Sequence, residues 1–322
     1  MAFANSSISD IVATTIQSRT GQIADNVTDN NALLAWLKKR GNVKTVSGGS
    51  SIFQEISFSS NGNAGYYSGY DLLPVAAQDV ISAAEYQIKQ VAVPVTISGL
   101  EMLQNSGKEQ TIDLLEGRME VAFASMANLI ANGIYSDGTG SGGKQITGLG
   151  AALPVANTSG VYGGIDRASW PFWQHKVVDT SAITAATIQA SWNSLYARLC
   201  RGMDKPNVIV VDNLTWSLYL ASLQALQRFS GTETGKLGFT TLKYMDADVV
   251  LDGGIDGNAP ANTAFFLNTK YLHWRPHSAR NMVPLSPNKR VAVNQDAEVQ
   301  ILAWAGNLTS SGQQFQGRWD NN

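Results

Sequence analysis

The sequence SGKEQTIDLLEGRMEVAFASMANLIANGIY occupies residues 106–135 and predicts one long helix. Ser106 and Glu109 have the spacing of a capping box, and Asp137-Gly138 ends the pattern. A second box, Ser98 with Glu101, predicts a short helical turn just before the long helix. At about 1.5 Å per residue the helix would span roughly 40 Å, so we expect the rest of the chain to pack along it. Its apolar residues recur at steps of three and four, as on one helical face: Ile112, Leu115, Met119, Phe123, Met126, Ile130 and Ile134.

The composition limits the class of protein. Of 322 residues, 44% are hydrophobic, which is enough for a core, but only 15% are charged, against about 25% in a typical soluble domain. A surface so poor in charge favours burial against other chains. The formal net charge of −2 gives no overall basic footprint for nucleic acid. The single cysteine, Cys200, excludes an internal disulfide, and its position on a predicted helix favours a buried thiol.

Residues 1 to about 30 are predicted to form an N-terminal arm. Ile8 and Ile11 favour a short amphipathic helix, and no signal peptide or membrane span is expected. A helix over residues 30–40 ends in Lys38-Lys39-Arg40 before Gly41. This basic triplet favours compensation of the helix dipole, with contact to a polyanion as the alternative.

Residues 43–97 are predicted to form a long hairpin. Residues 52–58 and 85–97 have strand patterns, and Pro94 favours an edge strand. The apolar positions of the second strand change face after Ile88. The hairpin either folds back on its own domain or completes its burial on a neighbouring chain, because an isolated ribbon is marginally stable. The candidate contact residues for a neighbour are Ile52, Phe53, Ile56, Phe58, Tyr66, Tyr67, Tyr70, Tyr86, Ile88 and Lys89, together with Ile8 and Ile11 of the arm.

The rest of the chain alternates extended and helical patterns. We expect a strand at 146–155, and an aromatic knuckle around Pro171 that anchors a loop at a lobe boundary. An α/β lobe over 184–274 is predicted to contain a helix capped by Thr184, a strand at 208–211 and a helix capped by Asp212 or Asn213. The segment 289–305 has strand character, and the tail after Leu308 is expected to be docked.

No pattern predicts a catalytic, cofactor or metal site. Gly138 to Lys144 resembles a phosphate loop, but it follows a helix and Gln145 replaces the metal-binding hydroxyl. His273 and His277 are separated by Pro276 in a strand-like segment, so we do not expect them to share a face. The acidic residues at 246, 248, 252 and 256 lack calcium-loop spacing and favour a solvated turn.

The order of these parts resembles the tailed-bacteriophage major capsid proteins with the HK97-like fold. The resemblance is carried by residues 97–106, 115–137, 164–167 and 171–173. It implies an α+β fold with an N-terminal arm (1–42), an extended loop (43–97), a peripheral domain with the long helix (98–170 and 285–322) and an axial domain (171–284).

The resemblance also implies a function and partners. The chain would assemble into pentamers and hexamers of an icosahedral head in the host cytoplasm and enclose double-stranded DNA without sequence specificity. It would meet a portal protein, and scaffolding would come from a separate protein or be unnecessary; decoration proteins are possible partners. Lys89 lies in the extended loop, but no partner asparagine marks a cross-link. The alternatives are an encapsulin-like shell and, more distantly, a Trp-rich carbohydrate-binding or hydrolytic protein.

Overall fold

The computed structural model describes residues 32–104, 114–223, 241–252, 258–285, 290–291 and 296–322. The arm residues Ile8 and Ile11, the predicted start of the long helix and Asp256 lie outside these ranges. Apart from a distorted turn at Gly140–Gly143, the described helices are α1 (Ala32–Lys39), α2 (Gly99–Gln104), α3 (Leu114–Tyr135), α4 (Leu149–Ala152), α5 (Ile188–Leu199) and α6 (Asn213–Leu223).

Fifteen strands are described. They are β1 (Ser51–Ser57), β2 (Ile81–Gln87), β3 (Lys89–Ser98), β4 (Val161–Tyr162), β5 (Ile165–Asp166), β6 (Lys176–Thr180), β7 (Val208–Val211), β8 (Thr241–Tyr244), β9 (Ala247–Leu251), β10 (Thr263–Leu267), β11 (Leu272–Pro276), β12 (Val283–Pro284), β13 (Arg290–Val291), β14 (Ala297–Ser310) and β15 (Gly317–Asn321). Short 3-10 turns cover Pro171–Trp173, Thr269–Tyr271 and Gln313–Phe315.

The long helix α3 confirms part of the predicted helix. Met126, Ile130 and Ile134 are buried as the periodicity predicts, whereas Phe123 is more than a third exposed. The helix ends before Gly138, whose positive φ of 79° lets the chain turn away. Its far end is close-packed: a Cβ at Gly148 would lie 2.2 Å from the backbone oxygen of Ile134, so this approach requires glycine.

The predicted capping box of Ser98 and Glu101, upstream of α3, is confirmed. The Ser98 N–H donates to Glu101 Oε2 at 3.0 Å, and the Glu101 N–H donates to Ser98 Oγ at 3.3 Å. The hydrogen bond from the Ser98 backbone, followed by that from Arg118, lowers the pKa of Glu101. Arg118 also donates to the Thr96 carbonyl. One carboxylate thus joins β3, α2 and α3.

A five-stranded sheet lies along α3 and is organised by β14. The strand β3 pairs with β14 on one side, from Ser98 opposite Ala297 to Lys89 opposite Gly306, while β11, β12 and β13 pair with it on the other. β3 therefore lies at an edge, as Pro94 predicts.

A six-stranded sheet in the order β6-β15-β10-β7-β9-β8 forms the second lobe. Its aromatic core surrounds Trp192, whose ring lies 4.8 Å from Tyr219 and 5.2 Å from Tyr244. The predicted strand at 208–211 is present, and the Asp212 carboxylate accepts hydrogen bonds from the Leu214 and Thr215 N–H groups, as a predicted cap should. The preceding helix begins at Ile188 rather than at the predicted Thr184.

One predicted element differs from the structure, and two predicted segments contribute strands to both sheets. The segment 146–155 contains the helical turn α4 rather than a strand, because Leu149, Ala152 and Leu153 bury themselves against the end of α3. The predicted axial segment 171–284 includes β11, which pairs with β14 in the other sheet. The C-terminal segment is also divided, since β14 lies in the five-stranded sheet and β15 in the six-stranded one.

Candidate assembly surface

The base of the 43–97 hairpin is anchored in its own chain. β1 and β2 pair from Ser51 opposite Gln87 to Ser57 opposite Ile81. The Tyr86 hydroxyl donates to the Ser310 carbonyl at 2.9 Å, and its ring lies 5.2 Å from that of Tyr162. Burial is the main reason that the pKa of Tyr86 is raised well above its usual value.

This anchoring corrects three of the predicted contact residues. Ile52, Ile56 and Tyr86 are each 3% exposed and belong to the main hydrophobic core, so they have no surface to offer another chain. Ile88 is half-buried against the same core. For this part of the hairpin, the expectation that it folds back on its own domain is the correct one.

The tip of the hairpin, residues 59–79, lies away from the core. Tyr66 and Tyr70 are as exposed as in an extended chain, at 109% and 106%, and Tyr67 is 66% exposed. The other exposed large apolar side chains of the tip are Leu72, Leu73 and Val75. These six exposed apolar side chains lie within ten residues, and such clustering marks interaction sites in soluble proteins.

An aromatic cluster joins Phe58, just before the tip, to the aromatic knuckle around Pro171. The Phe58 ring lies 5.8 Å from Trp170 and 6.3 Å from Phe172. Phe53, on the outer face of β1, is 63% exposed. Trp173 is buried and its Nε1–H donates to the Tyr162 carbonyl, so the knuckle is anchored as predicted. A cavity of about 410 Å³ lies beside this cluster, between Glu55, Trp173 and Phe315.

Lys89 is held within its own chain. Its Nζ donates to the Gly143 carbonyl at 2.6 Å and to Gln87 Oε1 at 3.2 Å. Gly143 ends a left-handed turn, with φ of 54° at Ser141 and 67° at Gly142. The Gly-rich segment that resembles a phosphate loop is therefore a connector whose carbonyl fixes Lys89, and its following residues do not open a nucleotide-binding helix.

A second exposed apolar surface was not predicted from the sequence. Val121, Phe123 and Leu129 on α3 are exposed by 39–51%, and Leu100 on α2 is exposed by 62%. The periodicity of α3 assigns Phe123 to the buried face because the pattern has apolar residues on more than one side. The only sequence signal for this surface is that α3 has more apolar positions than one helical face needs.

Buried polar groups join the lobes. The Arg318 guanidinium pairs with both carboxylate oxygens of Asp320 at 2.7 and 2.9 Å and also donates to the Leu153 carbonyl. Arg167 is 2% exposed, donates to the carbonyls of Ala151 and Ala152, and has its pKa lowered by burial. These contacts are structural, since their acceptors are backbone carbonyls and the Asp320 carboxylate.

Several predictions about titratable groups change. Cys200 is exposed, because it follows the last turn of α5, so the predicted buried thiol is wrong. Asp248 and Asp252 are buried rather than solvated: Lys243 pairs with Asp248, and the Tyr135 hydroxyl donates to Asp252.

The histidine pair and the acidic residues that the structure describes do not form a metal site. His273 and His277 lie at opposite ends of the extended segment that contains β11. Among the described residues, no three His, Cys, Asp or Glu side chains are grouped to hold a metal ion.

The tryptophans do not form a ligand surface. Six of the eight are at most 3% exposed, Trp216 is half-buried, and Trp170 alone is 46% exposed. Stacking on sugars or bases needs exposed ring faces. In the described part of the chain, no helix is both long and apolar enough to cross a membrane.

The sequence matches no protein-family model and no curated protein. Solved structures are similar over nearly the whole chain. The cyanophage A-1(L) capsid protein has a TM-score of 0.70 at 17% identity, covering 93% of this chain and 95% of that one. The capsid of a native GTA particle has a TM-score of 0.57 at 14% identity, covering 98% and 99%.

An encapsulin complex from Synechococcus elongatus has a TM-score of 0.54 at 10% identity, covering 98% of this chain and 95% of that one. At these identities the similarity establishes the fold. The predicted α+β, HK97-like fold of tailed-phage major capsid proteins is therefore confirmed.

Proposed function

We propose that this chain, which has the fold of phage capsid proteins, is the major capsid protein of a tailed phage. Copies of it assemble into pentamers and hexamers of an icosahedral head that encloses double-stranded DNA. The observation that supports this most strongly is the hairpin tip, with Tyr66, Tyr70, Leu72 and Val75 almost fully exposed on a base that is fixed in the core. Such a surface is stabilised when a neighbouring copy covers it.

The protein is structural in this proposal, and its work is mechanical. The two lobes keep their cores while the tip adapts to five-fold and six-fold neighbours. Each buried Leu- or Val-sized side chain contributes about 1.5–3 kcal/mol, so contacts repeated over a shell resist internal pressure. The phage head is assembled in the host cytoplasm, with a portal protein and with any scaffolding or decoration proteins as separate chains.

An encapsulin-like compartment is the second candidate, because an encapsulin shares the fold over nearly its whole length. The carbohydrate-binding alternative loses its support, since most tryptophans are buried. Negative-stain microscopy of the purified full-length chain tests both shell proposals together. Closed particles are the expected result, and a monodisperse monomer at high concentration would rule out both. The particles' content, nuclease-resistant DNA or a protein cargo, separates the phage head from the compartment.

A further inference from the structure

Four basic residues, Lys38, Lys39, Arg40 and Lys44, form a patch that we call the basic corner. All four are exposed, and none forms an ion pair with a carboxylate that the structure describes. By contrast, Lys205, Lys243, Lys270, Arg118 and Arg318 each pair with one. The charges of the corner are therefore not neutralised by any carboxylate that the structure describes.

The charge of the corner contrasts with the rest of the molecule. Residues 31–54 contain four of the 23 basic residues and none of the 25 acidic ones. The remaining chain therefore has a formal net charge of −6, against the overall −2. A local cluster of one sign on a molecule of the other sign attracts a polyanion to one place.

Helix capping does not account for these residues. α1 ends at a Gly41 with φ of 72°. The Asn42 N–H donates to the Leu37 carbonyl at 3.0 Å and the Gly41 N–H to the Lys38 carbonyl at 3.1 Å, which is a Schellman motif. The backbone thus satisfies these carbonyls, and dipole compensation alone needs only part of this charge.

The corner is held in position by the fold. Lys39 Nζ and the Arg40 guanidinium each lie 5.2 Å from the centre of the Trp36 ring, and Trp36 itself is buried. Lys44 is fixed by its N–H, which donates to the Trp274 carbonyl at 2.9 Å. Burial, and then the charges of Lys44 and Arg275, lower the pKa of His273 to about 4, and Lys44 therefore lies near the start of β11.

The chemistry of the corner distinguishes between partners. Single-stranded nucleic acid is bound by stacking on aromatic rings, and here the neighbouring indoles of Trp36 and Trp274 are both buried. Protein partners are bound through apolar anchors, and Val43 and Val46 are packed against the chain's own core. What remains is exposed charge without apolar or aromatic surface.

We infer that the basic corner binds the phosphate backbone of duplex nucleic acid without sequence specificity. The inference rests on the proposed function and adds to it the surface of the chain that contacts the enclosed DNA. Each lysine or arginine that neutralises a phosphate releases counterions, and many copies in a shell repeat the contact.

The test uses the full-length chain in its smallest soluble species and a fluorescent duplex of about 30 base pairs, titrated between about 50 and 200 mM salt. For K38Q/K39Q/R40Q, we expect the slope of log affinity against log salt to fall by roughly 2 to 3, and affinity at the lowest salt to fall at least about tenfold. The control K144Q/R201Q/R280Q removes the same charge from exposed residues elsewhere and should change affinity less than about twofold.

Two further variants keep the test independent of folding. Should the triple variant lose the wild-type melting transition, Lys44→Gln is compared with Lys144→Gln, and only the former should lower the slope, by about 0.9. An unchanged slope, or an equal loss in the control, overturns the inference. The inference is also overturned when polyglutamate competes for the basic corner as well as duplex DNA of equal charge does. That result would identify an acidic protein segment as the partner.

The same preparations distinguish failure of the inference from failure of the proposed function. Shells that form normally from all variants, with DNA affinity unchanged, contradict the basic corner and leave the capsid proposal standing. A wild-type chain that forms no particles contradicts the capsid proposal, whatever it does with DNA. Loss of shells in K38Q/K39Q/R40Q without a change in DNA affinity would make the corner a contact between subunits and overturn the inference.

Discussion

His175 shows how a single buried residue makes this fold sensitive to acid. Its Nε2 lies 2.7 Å from the Pro154 carbonyl, so the neutral ring with the proton on Nε2 donates there. Burial, with Arg167, Arg318 and Lys176 nearby, lowers its pKa from 6.5 to about 4. Protonation would add a cation to a site that already contains arginines.

The pH dependence follows from this pKa. Between pH 6.5 and 4 the unfolded chain binds the His175 proton and the folded chain does not, so the free energy of unfolding falls as the pH falls. At about 1.4 kcal/mol per pKa unit, the loss approaches roughly 3 kcal/mol at pH 4. His175→Gln, which has no proton to bind, should show a shallower fall in urea midpoint from pH 7 to 4.5. His277→Gln is the control and should follow the wild type; equal slopes in all three proteins would contradict the assignment.

Residue-level predictions from the sequence are correct where the interaction is local. The Ser98–Glu101 box and the Asp212 cap involve side chains three or fewer residues from their partners, so spacing alone identifies them. Burial of Ile52 and exposure of Cys200 depend on which distant segment packs nearby. No pattern within the hairpin shows that Ser310 will accept a hydrogen bond from Tyr86.

At the scale of elements, the hairpin's second strand illustrates both success and failure. The change of apolar face after Ile88 is visible in the sequence, and the structure shows its cause: β2 pairs with β1, and β3 moves to β14 in another sheet. Asn307 holds this bend, since its Nδ2 donates to the Gln87 carbonyl and its Oδ1 accepts from the Thr147 N–H. The switch was predictable from periodicity, whereas a partner more than 200 residues away was not.

The last strand, β15, completes the six-stranded sheet. It lies between β6 and β10, Trp319 is fully buried beside Trp192, and its Nε1–H donates to Ser191 Oγ at 2.7 Å. The Gln- and Gly-rich composition of the tail predicts no strand, and the sequence predicts only that the tail is docked on the rest of the chain. Its place inside a sheet follows from pairing with strands that are distant in sequence.

Removal of residues 317–322 should therefore prevent this lobe from folding. The truncation leaves β6 without a sheet partner and removes a buried tryptophan, whose loss alone costs about 3–5 kcal/mol. We expect loss of the near-ultraviolet circular dichroism of the Trp192 cluster and rapid amide exchange at Val208–Val211. Removal of Asn322 alone keeps β15 and should preserve both signals. A truncated chain with wild-type amide protection would show that β15 is dispensable.

For the whole molecule, three exposed surfaces are of two chemical kinds. The hairpin tip and the α2–α3 face are apolar and exposed on an otherwise well-packed chain, while the basic corner is charged and unpaired. The low content of charged residues predicts the two exposed apolar surfaces, because 15% of charged residues is too few to cover the whole surface of the chain. Where these surfaces lie depends on long-range pairing, so their positions required the structure.

The hairpin tip should separate folding from assembly. Replacing Tyr66, Tyr70, Leu72 and Val75 with serine removes side chains that touch no core, so the free energy of unfolding of the dilute protomer should change by less than about 0.5 kcal/mol per site. Shell formation should shift to much higher concentration, because each lost apolar contact between copies costs about 1.5–3 kcal/mol. Sedimentation velocity across a dilution series measures the protein concentration at which particles first form.

A matched control changes polar residues of the same segment, Gln78→Ser with Asp79→Ser, and should assemble as the wild type does. These substitutions are preferable to deleting residues 62–82, because that deletion would also remove Ile81 and Ser82 of β2, which pair with Ser57 and Ile56. Wild-type assembly by the tip variant would mean that copies meet through other surfaces, with the α2–α3 face next to be tested. Loss of cooperative unfolding in the dilute variant would instead show that the tip belongs to the protomer's own core.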